Sequence, residues 1–135
     1  MSESVSDEVE FEALIRRWFN HGWNQQDSSV IPEIFAVDYL AEGGAAKQLG
    51  AIEGHTGLIA YHTRFHAAVK DLHFEILALH VCGDIAMVEY QVTGVFQSAL
   101  KGHEEVGDLL DITAVDVFRF EAGRIAQRMV AYEQA

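Results

Sequence analysis

The sequence predicts an α+β fold in which a curved antiparallel sheet wraps around a long helix and N-terminal helices close a cavity. Three observations predict it. Apolar residues before about residue 70 recur in steps of three and four, the helical period. From Leu72 onward the period is two, and β-branched and aromatic residues accumulate. Tight-turn residues, Gly83-Asp84 and Glu121-Ala122-Gly123, then separate consecutive strands, which implies antiparallel hairpins. Helices first and a meander afterwards is the pattern in which helices cover one face of a sheet.

Each element follows from its residues. Val9, Phe11, Leu14, Ile15, Trp18 and Phe19 predict an amphipathic helix from Ser6 to about Asn24. Asp27, Ser28 and Ser29 offer N-cap oxygens for a short second helix through about Phe35, with Pro32 in its first turn, where no intrahelical N–H is needed. A short strand is expected near Asp38 to Ala41. Glu42 to Gly54, with four glycines, reads as a loop of the kind that rims sites. Leu58, Ile59, His62, Phe65, His66 and Val69 predict a third helix over His55 to Lys70. Strands are expected at Leu72–Cys82, Ile85–Ala99, Glu105–Phe120 and Arg124–Tyr132. Long, bent strands around one helix leave a conical pocket, so a ligand cavity is expected.

The 135 residues fit one domain, expected over 1–135 with about 1–6 as a disordered tail, and half of them are apolar. Nine basic against 21 acidic residues give a formal charge of −12. Such a surplus opposes binding to nucleic acid and to anionic lipid. The single cysteine, Cys82, excludes an intrachain disulfide and a Cys-only metal site. Met1 to Glu12 has no basic residue and no apolar core of a signal peptide, and no apolar run reaches the ~18 residues of a membrane span. A cytoplasmic protein is the expectation.

Several local strings carry a resemblance. Trp23-Asn24-Gln25-Gln26-Asp27, then Lys70-Asp71-Leu72-His73-Phe74-Glu75 followed by Gly83-Asp84, resemble strings of SnoaL-like proteins. Asp116-Val117-Phe118-Arg119-Phe120-Glu121 with Gly123-Arg124-Ile125 resembles the penultimate strand and hairpin of ketosteroid isomerases. The order and spacing of these strings resemble the nuclear transport factor two-like superfamily, which includes SnoaL-like polyketide cyclases and ketosteroid isomerases, and imply its cystatin-like α+β barrel.

The resemblance implies that Asp116 points into the cavity, where the matching isomerase aspartate stays protonated and donates a hydrogen bond to an enolate oxygen. Alternation then places Ile112, Ala114, Asp116, Phe118 and Phe120 on one face, an apolar wall that raises the carboxyl pKa. Aligned to the same hairpin, Arg128, Val130 and Tyr132 point inward. An Arg128 partner would instead keep Asp116 ionised and make it a base, and both roles stay open, as does a purely structural pair. His62 matches a cavity-facing isomerase tyrosine and is a candidate base; His66 shares its face, and a zinc site is the weaker reading of the pair.

Departures from the family accompany the matches. The isomerase oxyanion tyrosine falls near Trp18 or Phe19, and its base aspartate near Gly43, with Glu42 one position away. The acid/base aspartate of SnoaL-like cyclases falls at Val130, and the Arg-x-Asp of limonene-epoxide hydrolases has no counterpart in Ile85–Gly94. The expected site is therefore Asp116, His62 and Glu42 as catalytic residues, with Arg128, Tyr132, Trp18 and Phe118 contacting the ligand. No metal and no cofactor is expected. The expected function is acid/base proton transfer on a small apolar carbonyl compound, by isomerisation, cyclisation or dehydration, and the alternative is a non-catalytic binding module. Asp116→Ala is expected to abolish turnover with the melting temperature nearly unchanged. Val115 and Val117, opposite Asp116, suggest a homodimer through the outer sheet face.

Overall fold

Helix α1, Ser2–Arg17, runs without a break into a π-helical turn over Trp18–Trp23. This computed structural model describes residues 2–42 and 52–135, with side chains from Asp7 onward. The segment expected as a tail is thus helical from Ser2, and the expected helix through Asn24 changes geometry at Trp18. Two backbone bonds of the wide i→i−5 type, Asn24 N–H to Phe19 O (3.1 Å) and Asp27 N–H to Gly22 O (3.1 Å), mark the change. It brings the Trp18 and Trp23 rings to 5.3 Å between centroids.

The string Trp23-Asn24-Gln25-Gln26-Asp27 proves structural. The Asn24 amide donates to Phe74 O at 2.8 Å and accepts from Phe74 N–H at 2.7 Å, docking the end of the helical segment onto a strand. Asp27 accepts from the Ser29 N–H at 3.0 Å, the expected N-cap, and bonds His21 at 2.7 Å. A 3-10 turn over Ser28–Val30 leads into α2, Ile31–Ile34, with Pro32 in its first turn.

The second helix ends one residue before the expected Phe35. That residue opens β1, Phe35–Glu42, because it pairs in parallel with Ile125 and is buried. β2, Ile52–Glu53, pairs antiparallel to β1. Most of the expected glycine-rich loop, 43–51, lies outside the described residues. α3 spans Gly54–Ala68 and is followed by β3, Val69–Cys82; β4, Ile85–Phe96; β5, Leu109–Glu121; and β6, Arg124–Gln134.

β4 stops short of Ala99, and β5 starts after Glu105, because the loop between them binds its own backbone. Glu104 accepts from the N–H groups of Leu100 and Lys101 at 3.0 and 2.9 Å, and Asp108 accepts from that of Glu105 at 2.9 Å. Phe96 N–H to Asp108 O and Gly107 N–H to Phe96 O, both 2.8 Å, close the loop.

The six strands form one curved, open sheet in the order β2-β1-β6-β5-β4-β3, antiparallel except where β1 meets β6. On β5, Ala114, Asp116, Phe118 and Phe120 are buried and Ile112 is half-buried, the expected facing. The helices pack on this face, with Phe11 stacked on Phe120 at 4.0 Å and Phe19 edge-on to Phe118 at 6.4 Å. On the outer face, Met87, Val117 and Met129 align across three strands.

The register of β6 slips where Asp116 faces Val130 but Val115 faces Tyr132. Ala131 is the extra residue of a β-bulge. Past it the alternation inverts: Tyr132 shares the outer face with Val115, and Glu133, opposite Ala114, takes the inner one. No helix among the described residues is long and apolar enough to cross a membrane.

Candidate functional site

Between the helices and the inner sheet face lies a cavity of about 210 Å³. Trp18 and Trp23 of the π-helical turn, Leu58, Tyr61 and Phe65 of α3, and Phe74 of β3 belong to its apolar wall. Residues of the β4–β5 loop and the adjacent strand ends, among them Lys101, Glu104, Asp111 and Glu133, surround its mouth. The volume lies below the ~300 Å³ at which pockets for drug-sized ligands begin, so the space suits a small molecule.

One wall of this apolar space is polar. Arg128 Nε donates to Asp116 Oδ2 at 2.7 Å, with the two side chains 14% and 3% exposed. Tyr90 Oη donates to Asp116 Oδ1 at 3.2 Å. Burial pushes the Asp116 carboxyl above its usual range, against the pull of Arg128 and Tyr90. Burial works against the Arg128 charge too, but Asp116 and three surrounding tyrosines outweigh it, and the guanidinium is held charged. The two side chains form a hydrogen-bonded pair, the arrangement that compensates a buried charge.

Those tyrosines are Tyr39, Tyr61 and Tyr90, three of the four in the chain, and all line the cavity. Burial pushes the Tyr39 phenol up to about 12 and raises Tyr61 and Tyr90 as well, with Arg128 drawing each partly back. All three are therefore neutral O–H donors. The Tyr90 proton is used on Asp116. The O–H groups of Tyr39 and Tyr61 have no acceptor among the described residues, although the side chains are buried. Donors without acceptors on an otherwise greasy wall fit an oxygen that arrives with a ligand.

The expected site residues divide. Asp116, Arg128 and Trp18 line the cavity. Phe118 is fully buried against Phe19, behind the lining. Glu42 is exposed at the end of β1 and does not line the cavity. Tyr132 is 52% exposed and bonds Gln134, because the bulge at Ala131 turns it outward.

His62 is buried but lies outside the cavity. It donates from Nε2 to Gly22 O at 2.6 Å and sits 4.9 Å from the Trp23 ring and 4.6 Å from His66. Its neighbour Tyr61 reaches the cavity, as do Leu58 and Phe65 of the same helix. Burial lowers both histidines, His66 to about 4, which leaves them neutral. Among the described residues no group of three or more His, Cys, Asp or Glu side chains is placed to hold a metal ion.

Tyr39, Tyr61, Tyr90 and Glu133 line the cavity and are not among the residues the sequence reading chose. Tyr90 was legible in principle, since it pairs with Ala114 and so shares a face with Asp116. Tyr61 lies one position from the residue chosen, and Tyr39 within the short strand expected near Asp38.

A family profile described as the SnoaL-like domain matches residues 15–128. This chain belongs to the SnoaL-like family. No curated protein matches it. Among solved structures, a candidate SnoaL-like polyketide cyclase from Jannaschia sp. CCS1 is 21% identical, with a TM-score of 0.80 over 94% of this chain and 87% of that one. TsrD from Streptomyces laurentii is 20% identical, with a TM-score of 0.79 over 93% and 87%. An LEH-like epoxide hydrolase from M. tuberculosis is 14% identical, with a TM-score of 0.69 over 91% and 82%. At these identities the likeness to the solved structures is one of fold alone, and together with the family match it agrees with the resemblance to the nuclear transport factor two-like superfamily. The curved sheet wrapped on its helices is that superfamily's cone.

Proposed function

We propose that this SnoaL-like domain is a small-molecule enzyme that transfers a proton on an apolar compound bearing a carbonyl oxygen. The observation that carries the reading is the Asp116–Arg128 pair on the wall of an apolar cavity, beside the unused O–H donors of Tyr39 and Tyr61. In this reading the carbonyl oxygen accepts from those phenols. Asp116, kept anionic by Arg128 and made more basic by burial, removes the adjacent proton. As charge moves onto the oxygen, the phenols and the Arg128 guanidinium stabilise it without reorganising. The carboxylic acid then returns the proton to the same or a neighbouring carbon, giving exchange, isomerisation or the first step of a cyclisation or dehydration. Asp116 takes the role of base, since neither His62 nor Glu42 lines the cavity.

The charges of Asp116 and Arg128 cancel, so this wall favours a neutral oxygen over an anion. One observation favours the second reading, a binding module: both Asp116 oxygens already accept hydrogen bonds, which weakens them as bases. Incubation with aryl methyl ketones in D2O separates the two. Loss of the α-proton signal by NMR, abolished in Asp116→Asn, supports catalysis. Ketone binding without exchange supports the binding module.

A further inference from the structure

The bulge at Ala131 puts a carboxylate at the cavity's mouth that regular alternation would have turned away from it. Glu133 takes the inner face opposite Ala114, lines the cavity, and is close enough for its charge to act on Asp116 and Tyr61. Glu104 and Asp111 stand with it at the mouth, against Lys101, with His103 beside them. Among the described lining residues this leaves the mouth with an excess of negative charge, whereas the wall at Asp116 and Arg128 is electrically balanced.

These carboxylates are unequally occupied. Glu104 is committed to the N–H groups of Leu100 and Lys101, and Asp111 accepts from the Gln91 amide at 2.8 Å. Among the described residues Glu133 is paired only with Lys101, whose Nζ lies 3.8 Å away, beyond hydrogen-bond reach. Between the mouth and the balanced pair the walls are largely aromatic, with Trp23, Tyr61, Phe65 and Phe96 among them, and the faces of such rings attract cations. At the far wall Tyr39 also lines this space, next to Arg128, and its O–H has no acceptor among the described residues.

We propose that the cavity's ligand carries a cationic amine at the end opposite its carbonyl oxygen, received at the mouth by Glu133 with Asp111 and Glu104. The proposal rests on the reading that Tyr39, Tyr61 and Arg128 receive that oxygen. It defines a substrate class: a small, aromatic or apolar amino ketone. The acidic mouth attracts the ammonium group and disfavours a carboxylate, and its effect weakens in salt.

Three probes of one shape test it: 4-(dimethylaminomethyl)acetophenone, cationic; 4-isobutylacetophenone, its neutral isostere; and 4-acetylphenylacetate, anionic. Titrations of the whole chain are followed by the fluorescence of Trp18 and Trp23, which line the cavity. The cation is expected to bind on the order of tenfold tighter than the neutral isostere, from one or two exposed charge contacts with a cation–π contribution. The anion binds weakest. Glu133→Gln removes most of the preference for the cation over the neutral isostere, and added salt weakens the cation alone. Equal affinities, or an anion that binds best, overturn the proposal. Tyr39→Phe addresses the supporting reading separately: if it leaves neutral-ketone affinity unchanged, the assigned oxygen site is wrong even where the charge preference holds. Failure of all three probes to bind rejects both.

Discussion

Asp116 and Arg128 hold each other in place from adjacent strands. Arg128 Nε meets Asp116 Oδ2 at 2.7 Å while the opposite carboxylate oxygen takes the Tyr90 proton, so each buried charge depends on the other. This corrects the expectation that Asp116→Ala leaves the melting temperature nearly unchanged. Removing the carboxylate strands a buried guanidinium, and breaking a buried pair on one side costs about 3–5 kcal/mol. Asp116→Ala and Arg128→Ala are each expected to lower stability by about that amount in chemical denaturation. The double replacement is expected to cost much less than their sum, because no unpaired charge remains. Additive losses would show that the pair is not coupled.

Tyr39 and Tyr61 should behave in the opposite way. Their O–H groups donate to nothing among the described residues, so replacement by Phe removes a buried polar atom without breaking a bond. Each of Tyr39→Phe and Tyr61→Phe is expected to change stability by about 1 kcal/mol or less and to weaken ketone binding about fivefold, the worth of one hydrogen bond. Tyr90→Phe is the contrast, since it unmakes the bond to Asp116 and is expected to lower stability and raise the carboxylate's proton affinity further. Equal destabilisation by all three would place hidden acceptors on Tyr39 and Tyr61.

The pattern of residues carried the fold and, in the candidate site, the facing of Asp116. Period-two spacing located the four long strands, and the facing of Asp116 followed from counting alternate positions along β5. Counting failed where the backbone changes its period. The bulge at Ala131 exchanges Tyr132 for Glu133, and Ala is an ordinary strand residue that announces no bulge. On α3, adjacent residues point about 100° apart. A one-residue offset therefore selected His62, which packs behind Trp23, over Tyr61, which reaches the cavity. The short wall strand β1 was legible only in part, because its first residue, Phe35, also suits the end of a helix. Its placement depends on a parallel partner in β6, ninety residues further along the chain, that no local pattern reveals.

His62 and His66 contribute to the acid side of the stability profile, beside the lowered carboxylates of Asp27 and Glu104. Burial is the first cause of both shifts, and it holds His66 at about 4 against an ordinary 6.5. Between those values the unfolded chain binds more protons than the folded one, so folding stability rises with pH there. The histidine contribution is complete above about 6.5 and is lost as pH falls toward 4. Asp116 acts with the opposite sign: its raised carboxyl favours the fold on the acid side and loses that contribution as pH climbs through its folded value. Thermal melts are therefore expected to fall as pH drops from neutral to about 4, and His66→Phe, which also removes a buried Nε2 with no partner, is expected to flatten the decline. An unchanged acid limb in that variant would assign the loss to other groups.

Gly22 is where the helical turn, the histidines and the cavity wall meet. Its carbonyl accepts from His62 at 2.6 Å, and a Cβ built on it would lie 2.3 Å from Cε3 and 2.6 Å from Cζ3 of Trp18. Those atoms belong to a ring that is 3% exposed, packed edge-on to Phe35 at 4.9 Å and tilted against Trp23, so it has little room to retreat. Overpacking of this kind costs about 1–3 kcal/mol. Gly22→Ala is expected to lower stability by that amount and, because Trp18 lines the cavity, to change both the tryptophan fluorescence and the affinity for a bound ketone. Ala substitution at Gly83, where the added Cβ meets nothing within 4 Å, is the control: any cost there comes from the positive φ of 62° alone and leaves Trp18 untouched. A Gly22→Ala variant with wild-type fluorescence and ketone affinity would mean that Trp18 does not shape the binding space.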